Sequence, residues 1–470
     1  MGASEGDVIE FQGKSPTLGK VGAVSRVVRG AVELTRFVAL YVSSSSFRAA
    51  VNSARVVQSI TDTPQMRREA RRARPQTRVH RRLSSAALAL AAITEDPAEP
   101  AKVNLILSEL DTTRLFAGVS TALDIAVAIA TGRGVALRII LLSERVTPEL
   151  GRHIQLELQE RAPGVSVVVR GAIVATSFNP ADLWIATHWT TAHPVQVAVD
   201  DGRISPAQVI YLVQDFEPGF AGWSTPSTVA RDTYDAGFQI LVNSMPLWRY
   251  LAERIGIDVP MSRVFAPNLA VDRIREEPHA VRDDTIRIFF YGRPSKPRNL
   301  FDLGVAALEH AALRLGARAK NIEFISAGEH HPDLTLASGV VLRSVGTLDW
   351  DEYFALLART DVALSLQASP HPSHPPLEAA IAGAISITNE FEGTRAGLHP
   401  LLWAVEAHPM VLGDAVVRAI DQISGSGRAG FTPTADDSLG RPMTEVVSDL
   451  LAELAAAEAA QALSARRPKA

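Results

Sequence analysis

From residue 103 to residue 389, short apolar runs rich in β-branched residues alternate with longer stretches of helical periodicity, and that alternation admits few folds. The strand-like runs begin at VNLIL (103), ALRIILL (136), VSVVV (165), DLWIAT (182), QVIYLVQ (208) and FQILVNS (238). They resume at IRIFFYG (286), IEFISAG (322), VVLRSVG (340), VALSLQ (362) and AISITN (384). Nearly every residue in them is apolar, not every second one. Such runs suit sheets covered on both faces, which is the condition of parallel strands joined by crossover helices. Between the two series lies FAPNLAVDRIREEPHAVRDD at 265–284, polar and proline-bearing, which reads as a break. Two Rossmann-like α/β domains are therefore expected over 101–275 and 276–440, with a C-terminal helix and tail over 441–470. The 470 residues, 47% hydrophobic and 21% charged, suffice to give each domain a core.

Residues 1–100 read differently, as a helical and basic N-terminal extension. RREARRARPQTRVHRR at 67–82 gathers eight arginines around Glu69. A solvated helix face and linker explains that block; peripheral contact with anionic lipid head groups, or with a partner protein, is the functional alternative. Over the whole chain 47 Lys and Arg face 51 Asp and Glu, so no global basic field favours nucleic acid. Cysteine is absent, which excludes disulfides, thiolate metal sites and a cysteine nucleophile. The longest apolar runs, AALALAAI (86–93) and FVALYV (37–42), are too short to span a bilayer, and the N-terminus lacks a signal-peptide pattern. A cytoplasmic protein is expected, with attachment at the inner face of the membrane through the basic segment as an option.

In open parallel sheets ligands gather beyond the carboxyl ends of the strands. At the first such junction, LILSELDTTRLFAGVSTALDIA, Gly118 precedes a helix that Ser120 could cap; neither a G-x-G-x-x-G nor a Walker lysine is present. In IFFYGRPSKPRNLFDLG (288–304) the cations Arg293, Lys296 and Arg298 follow Gly292 on a loop stiffened by Pro294 and Pro297, with Asn299 placed to cap the next helix. That makes a cradle for a diphosphate. In SLQASPHPSHPPLEAAIAG (365–383) Pro375 and Pro376 predict a helix start with Glu378 in its first turn, explained either by the helix dipole or by a grip on sugar hydroxyls. His371 and His374 read as polar lining, and no metal site is expected. Asp349 and Glu352 form a capping box that accounts for the DWD motif, while Gly346 to Leu348 end a strand where backbone could meet a base. On the first domain His188, Trp189, Asp215 and Glu217 sit at strand ends, a combination of aromatic and polar groups suited to a sugar.

Taken together, FYGRP with Lys296 and Asn299, SVGTL before a capped helix, and the strand leading through SPHPSHPPLEAAIAG to ISITNEF resemble the donor half of a GT-B glycosyltransferase of the WsaF rhamnosyltransferase type. YLVQDFEPGF (211–220) and LWIATHWTTA (183–192) resemble its other half, so the likeness covers roughly 100–440. The resemblance implies two domains facing across a cleft and transfer of a deoxyhexose, such as L-rhamnose from dTDP-L-rhamnose, onto a glycan or lipid-linked glycan, with no metal or other cofactor. It implies donor contacts from Gly118, Gly292, Arg293, Lys296, Asn299, Gly346, Leu348, Ser373 and Glu378, and catalytic or acceptor-side roles for His188, Asp215, Glu217 and His374. Retaining relatives carry a second glutamate eight positions before the one matched by Glu378; here that position is Pro370. Two alternatives of other classes are a nucleotide-sugar epimerase of similar architecture and a non-catalytic nucleotide-sugar-binding scaffold.

Overall fold

The structure is a computed structural model, and it describes residues 85–110, 117–277, 285–433 and 438–465. The arginine block at 67–82 lies outside them. Two seven-stranded sheets organise the chain. The first holds β1 (Lys102–Leu107), β2 (Ala136–Leu141), β3 (Ser166–Val169), β4 (Leu183–Ala186), β5 (Val209–Val213), β6 (Gln239–Asn243) and β7 (Val264–Phe265), all parallel, in the order β3-β2-β1-β4-β5-β6-β7. The second holds β8 (Ile286–Gly292), β9 (Ile322–Gly328), β10 (Leu334–Thr335), β11 (Val341–Gly346), β12 (Val362–Leu364), β13 (Ile385–Asn389) and β14 (Leu402–Val405), in the order β10-β11-β9-β8-β12-β13-β14. Only β10 runs antiparallel to its neighbour. Strand order reverses beside β1 in the first sheet and beside β8 in the second, which is where crevices open in such sheets.

Every strand expected from the apolar runs is present. The short β7, β10 and β14 were not expected, because a two- to four-residue strand at or near a sheet edge needs no long apolar run. β7 ends inside the stretch read as a break, and the same stretch contains the helix Val271–Glu276, whose Ile274 is buried in a core of the second domain. The turn to the second domain thus comes just after Phe265. The end of the expected extension also belongs to a core: residues 85–91 are helical, and Ala86, Leu90 and Ile93 are buried with Trp184, Tyr211 and Val242 of the first domain.

Each sheet is covered on both faces, as the continuous apolar runs require: one pair of cores flanks the first sheet and another flanks the second. Helix α1 (Ala117–Arg133) covers one face of the first sheet together with the last helix of the chain, Met443–Ala465, which returns from the second domain. Val446, Val447, Leu450 and Leu454 are buried there. Leu451 packs so closely that a side chain at Gly132 would come within 2.4 Å of it. The return is pinned by backbone bonds from Met245 to Leu439 (2.9 Å) and from Ala266 to Arg441 (2.8 Å). Among the described residues no helix is long and apolar enough to cross a membrane.

Candidate functional site

The carboxyl ends of β4 and β5 carry the polar groups of the first domain. After β4, His188 takes extended backbone (φ −157°) and caps helix α2 (Trp189–Asp200), its ring Nδ1 accepting from the Thr190 amide at 3.2 Å. That contact leaves the proton on Nε2, 3.9 Å from Glu217 Oε1. Burial, then the charge of Arg298, holds His188 below the ordinary imidazole range, while its open edge, 37% exposed, moderates the effect. Glu217 is buried, accepting from the Trp189 amide at 2.5 Å and from the Tyr211 hydroxyl at 3.2 Å. Burial outweighs these bonds and pushes its carboxyl up to about 8.

Asp215, the other strand-end acid, is turned toward the second domain. Its Oδ2 accepts from Ser369 Oγ at 2.9 Å and from Gln367 Nε2 at 3.3 Å, and its Oδ1 from the Phe216 amide at 2.8 Å. Burial raises it to about 6, against the lowering effect of those bonds. Beside it Arg298 reaches back from the second domain to lie over the Phe220 ring, 4.3 Å from its centre, and Tyr250 meets Phe391 at 5.9 Å. Side chains of the two domains therefore meet directly around Asp215.

On the second domain three adjacent parallel strands, β8, β9 and β11, all end in glycine: Gly292, Gly328 and Gly346. Gly328 and Gly346 have φ of 129° and 74°, conformations that L residues rarely adopt. Gly292 serves packing as well, since a side chain there would sit 2.2 Å from Ser326 Oγ, which hydrogen-bonds His331. Arg293 and Lys296 follow on a turn closed by the bond from the Lys296 amide to the Arg293 carbonyl (3.1 Å). An acid that sequence reading did not single out, Glu329, accepts from the Ser295 amide at 2.9 Å; the Ser295 side chain first, then that amide bond and the charges of Arg293 and Lys296, hold it below the usual carboxylate range. Arg298, expected in the cradle, points into the interdomain contact instead.

Glu378 lies in the helix that follows the next strand over, β12. Helix α5, for which we number α3 (Phe301–Leu315) and α4 (Trp350–Arg359) before it, runs His374–Ile381 and starts after Ser373 at φ 69°. Because it begins at His374, Glu378 falls just beyond the first turn, four residues from His374, and not within it as Pro375 and Pro376 had suggested. Its carboxylate is buried, accepts from the Tyr353 hydroxyl of α4 at 2.7 Å, and has His374 Nδ1 3.7 Å away. α4 opens with the expected capping box, Asp349 and Glu352 exchanging bonds of 2.8 and 3.1 Å. Leu348 packs in the core beneath with Tyr291 and Tyr353. His371 is buried, its Nδ1 accepting from the Ser373 amide at 3.1 Å, and its Nε2 has no hydrogen-bond partner among the described residues.

Two further expectations need correction. Asn299 does not cap α3: Leu300, at φ 49°, occupies the cap without a side-chain bond, and Asn299 is buried in the preceding turn Pro297–Asn299. Ser120 does not cap α1, because Ala117 and Gly118 ahead of it are already helical; Ser120 instead receives Arg161 at 3.1 Å. Gly118 faces Gln214, whose amide donates to the Gly118 carbonyl at 2.9 Å. The structure thus gathers Arg293, Lys296, Gly292, Gly346 and Glu378 along the carboxyl edge of one sheet, and His188, Asp215 and Glu217 along that of the other. Tyr353, Glu329, Gly328, Gln367, Ser369 and Arg395 were missed, for their partners are distant in sequence; only the G at each strand end was a signal available in advance.

The family models for the N-terminal and C-terminal domains of WsaF match residues 102–244 and 286–417, together more than half of the chain. An O-antigen biosynthesis protein, RfbC of Myxococcus xanthus, is 35% identical over 211 residues, 44% of this chain but 16% of that protein. Among solved structures, the HepE protein of Anabaena in complex with UDP aligns at 12% identity over 78% of this chain and all of that one (TM-score 0.46). The N-terminal domain of a Candida albicans trehalose-6-phosphate phosphatase aligns at 11% identity over 77% of this chain and 97% of that one (TM-score 0.49). With one matched domain on each parallel sheet, in the same order along the sequence, the chain belongs to the WsaF-type family of GT-B glycosyltransferases.

Proposed function

We propose that this chain transfers a sugar from a nucleotide donor, held on the second domain, to a glycan acceptor held on the first, in the assembly of a surface polysaccharide. Family membership and the Myxococcus relative support the reaction class. The observation that carries the donor assignment is the glycine-ended edge of β8, β9 and β11, with two cations at one end and a carboxylate pinned by Tyr353 beside it. Strands that end in glycine let a ligand approach backbone amides, and Arg293 and Lys296 then offset the charge that builds on a departing nucleoside diphosphate. Glu378 is the group for the ribose hydroxyls, and Gly346 to Leu348 border the base. In the first domain His188 presents Nε2–H to the cleft with Glu217 behind it, a pair suited to hold an acceptor hydroxyl. dTDP-L-rhamnose as donor, a retaining outcome and independence from metal ions complete the reading. Asp349 and Asp351 do not argue for a metal, since the first caps α4 and the second pairs with Arg273 at 2.9 Å.

Thermal unfolding with dTDP, UDP and GDP tests the reading directly. A nucleotide at a hundred times its dissociation constant raises stability by about 2.7 kcal/mol. Arg293→Ala is expected to weaken binding by about 10- to 150-fold, the worth of a charge-assisted hydrogen bond. No stabilisation by any of the three overturns the donor site. Product from the nucleotide sugar alone would identify an epimerase, and binding without turnover across acceptors would identify a scaffold. Transfer that chelator abolishes and magnesium or manganese restores would overturn the metal-free part.

A further inference from the structure

The proline-rich loop between β12 and α5 is held from two sides. Arg395, fully buried after β13, donates from Nη2 to the carbonyls of Gln367 (2.8 Å), Ser369 (2.7 Å) and His371 (3.5 Å), and from Nη1 to Asn389 (3.0 Å). A guanidinium offers five donors in a plane and no acceptor, so it fixes the loop only by the carbonyl side. On the other side Gln367 Nε2 and Ser369 Oγ, 2.6 Å apart, both donate toward Asp215 Oδ2 of the first domain. Gln367, Ser369, Arg395 and Asp215 are each at least nine-tenths buried. A buried carboxylate is tolerated only where donors meet it; the Phe216 amide of its own domain serves Oδ1, and the donors to Oδ2 belong to the opposite domain.

We propose that Asp215 is a positioning residue that latches the two domains together, and that Arg395 shapes the loop it grips. The latch makes interdomain closure and the order of residues 367–373 one event. Because that loop runs straight into Ser373, His374 and α5, closing the cleft also sets the backbone ahead of Glu378. Around Asp215 the neighbouring groups are Glu217, Arg298, Arg395, Tyr234 (whose hydroxyl reaches the Asp215 carbonyl at 3.3 Å) and Tyr250. Withdrawal of the loop would leave Asp215 to water. The consequence for donor binding rests on the function proposed above; the latch itself does not.

Hydrogen exchange and small-angle scattering on the full chain read the latch without any substrate. Asp215→Ala is expected to speed amide exchange in 366–373 at least tenfold, to raise the radius of gyration, and to leave β1, β5, β8 and β9 protected. Ser369→Ala, a smaller change, should move the same amides in the same direction by a lesser factor. Wild-type exchange and dimensions in both variants overturn the proposal, as does loss of protection spread through the first domain, which would mark Asp215 as a folding residue only. Nucleotide affinity, measured in parallel with dTDP and UDP, should fall about tenfold in Asp215→Ala. If wild-type protein binds neither nucleotide while the loop still loosens, the latch stands and the donor assignment falls.

Discussion

At the scale of single residues, burial separates groups that look alike in sequence. Asp215 and Glu217 stand two positions apart at the end of one strand, yet one bonds across the cleft and the other inward to Trp189 and Tyr211. Glu217, raised by burial from its ordinary 4.5 to about 8, has a defined pH signature. A carboxyl whose folded value exceeds its unfolded one contributes stability that is fully present below about 4.5 and lost as pH rises through about 8. Between about pH 6.5 and pH 8, above the range in which the depressed His188 and His371 add stability with rising pH, thermal midpoints should therefore decline, with a slope approaching ~1.4 kcal/mol per pH unit from this group, and Glu217→Gln should flatten the decline. An equal slope in the variant would reject the buried, neutral carboxyl. Tyr353→Phe removes the hydroxyl that fixes Glu378; a bond to a charged group is worth about 1.5–3 kcal/mol, so nucleotide affinity should drop roughly 10-fold or more. Calorimetric titration of both proteins checks it. The carboxylates at 217 and 378 were legible as strand-end and helix-start acids. Their partners were not, because Tyr353 comes from a helix whose first turn reads only as a cap.

At the scale of elements, most of the fold was legible and the termini of elements were not. Continuous apolar runs announce a strand covered on both faces. Where a helix starts depends on the turn before it, and at α3 and α5 that turn uses Leu300 and Ser373 at positive φ, a choice no residue type announces. The pairing of β8 with α3 shows the same dependence. Gly304 lies where a methyl group would sit 2.3 Å from the Phe290 ring, which is wholly buried and has nowhere to retreat. Gly304→Ala should destabilise by about 1–3 kcal/mol despite alanine's better helix propensity. A urea midpoint equal to wild type would show that the helix can shift.

At the scale of the molecule, the two domains are joined by more than one crossing of the chain. The closing helix, α7 (Met443–Ala465; α6 being Pro409–Ser426), starts from the second domain and completes the core of the first. Four aliphatic residues buried among its described side chains, Val446, Val447, Leu450 and Leu454, contribute on the order of 6–12 kcal/mol, at about 1.5–3 each, comparable with the stability of a whole domain. Deleting residues 443–470 should abolish cooperative unfolding of the first domain and spare that of the second, seen as loss of one calorimetric transition. Two intact transitions would contradict this packing.

The amino-acid sequence by itself determined two parallel α/β sheets, their order along the chain and the strand ends where a ligand can sit, because hydrophobic periodicity and turn residues are local properties. Only the tertiary structure decided which side chains meet there: Asp215 with Ser369, Arg395 with the proline loop, Tyr353 with Glu378, the last helix with α1. Those contacts join residues far apart in the chain, and they follow from how strands are ordered in a sheet and how helices cover it, which no local pattern encodes.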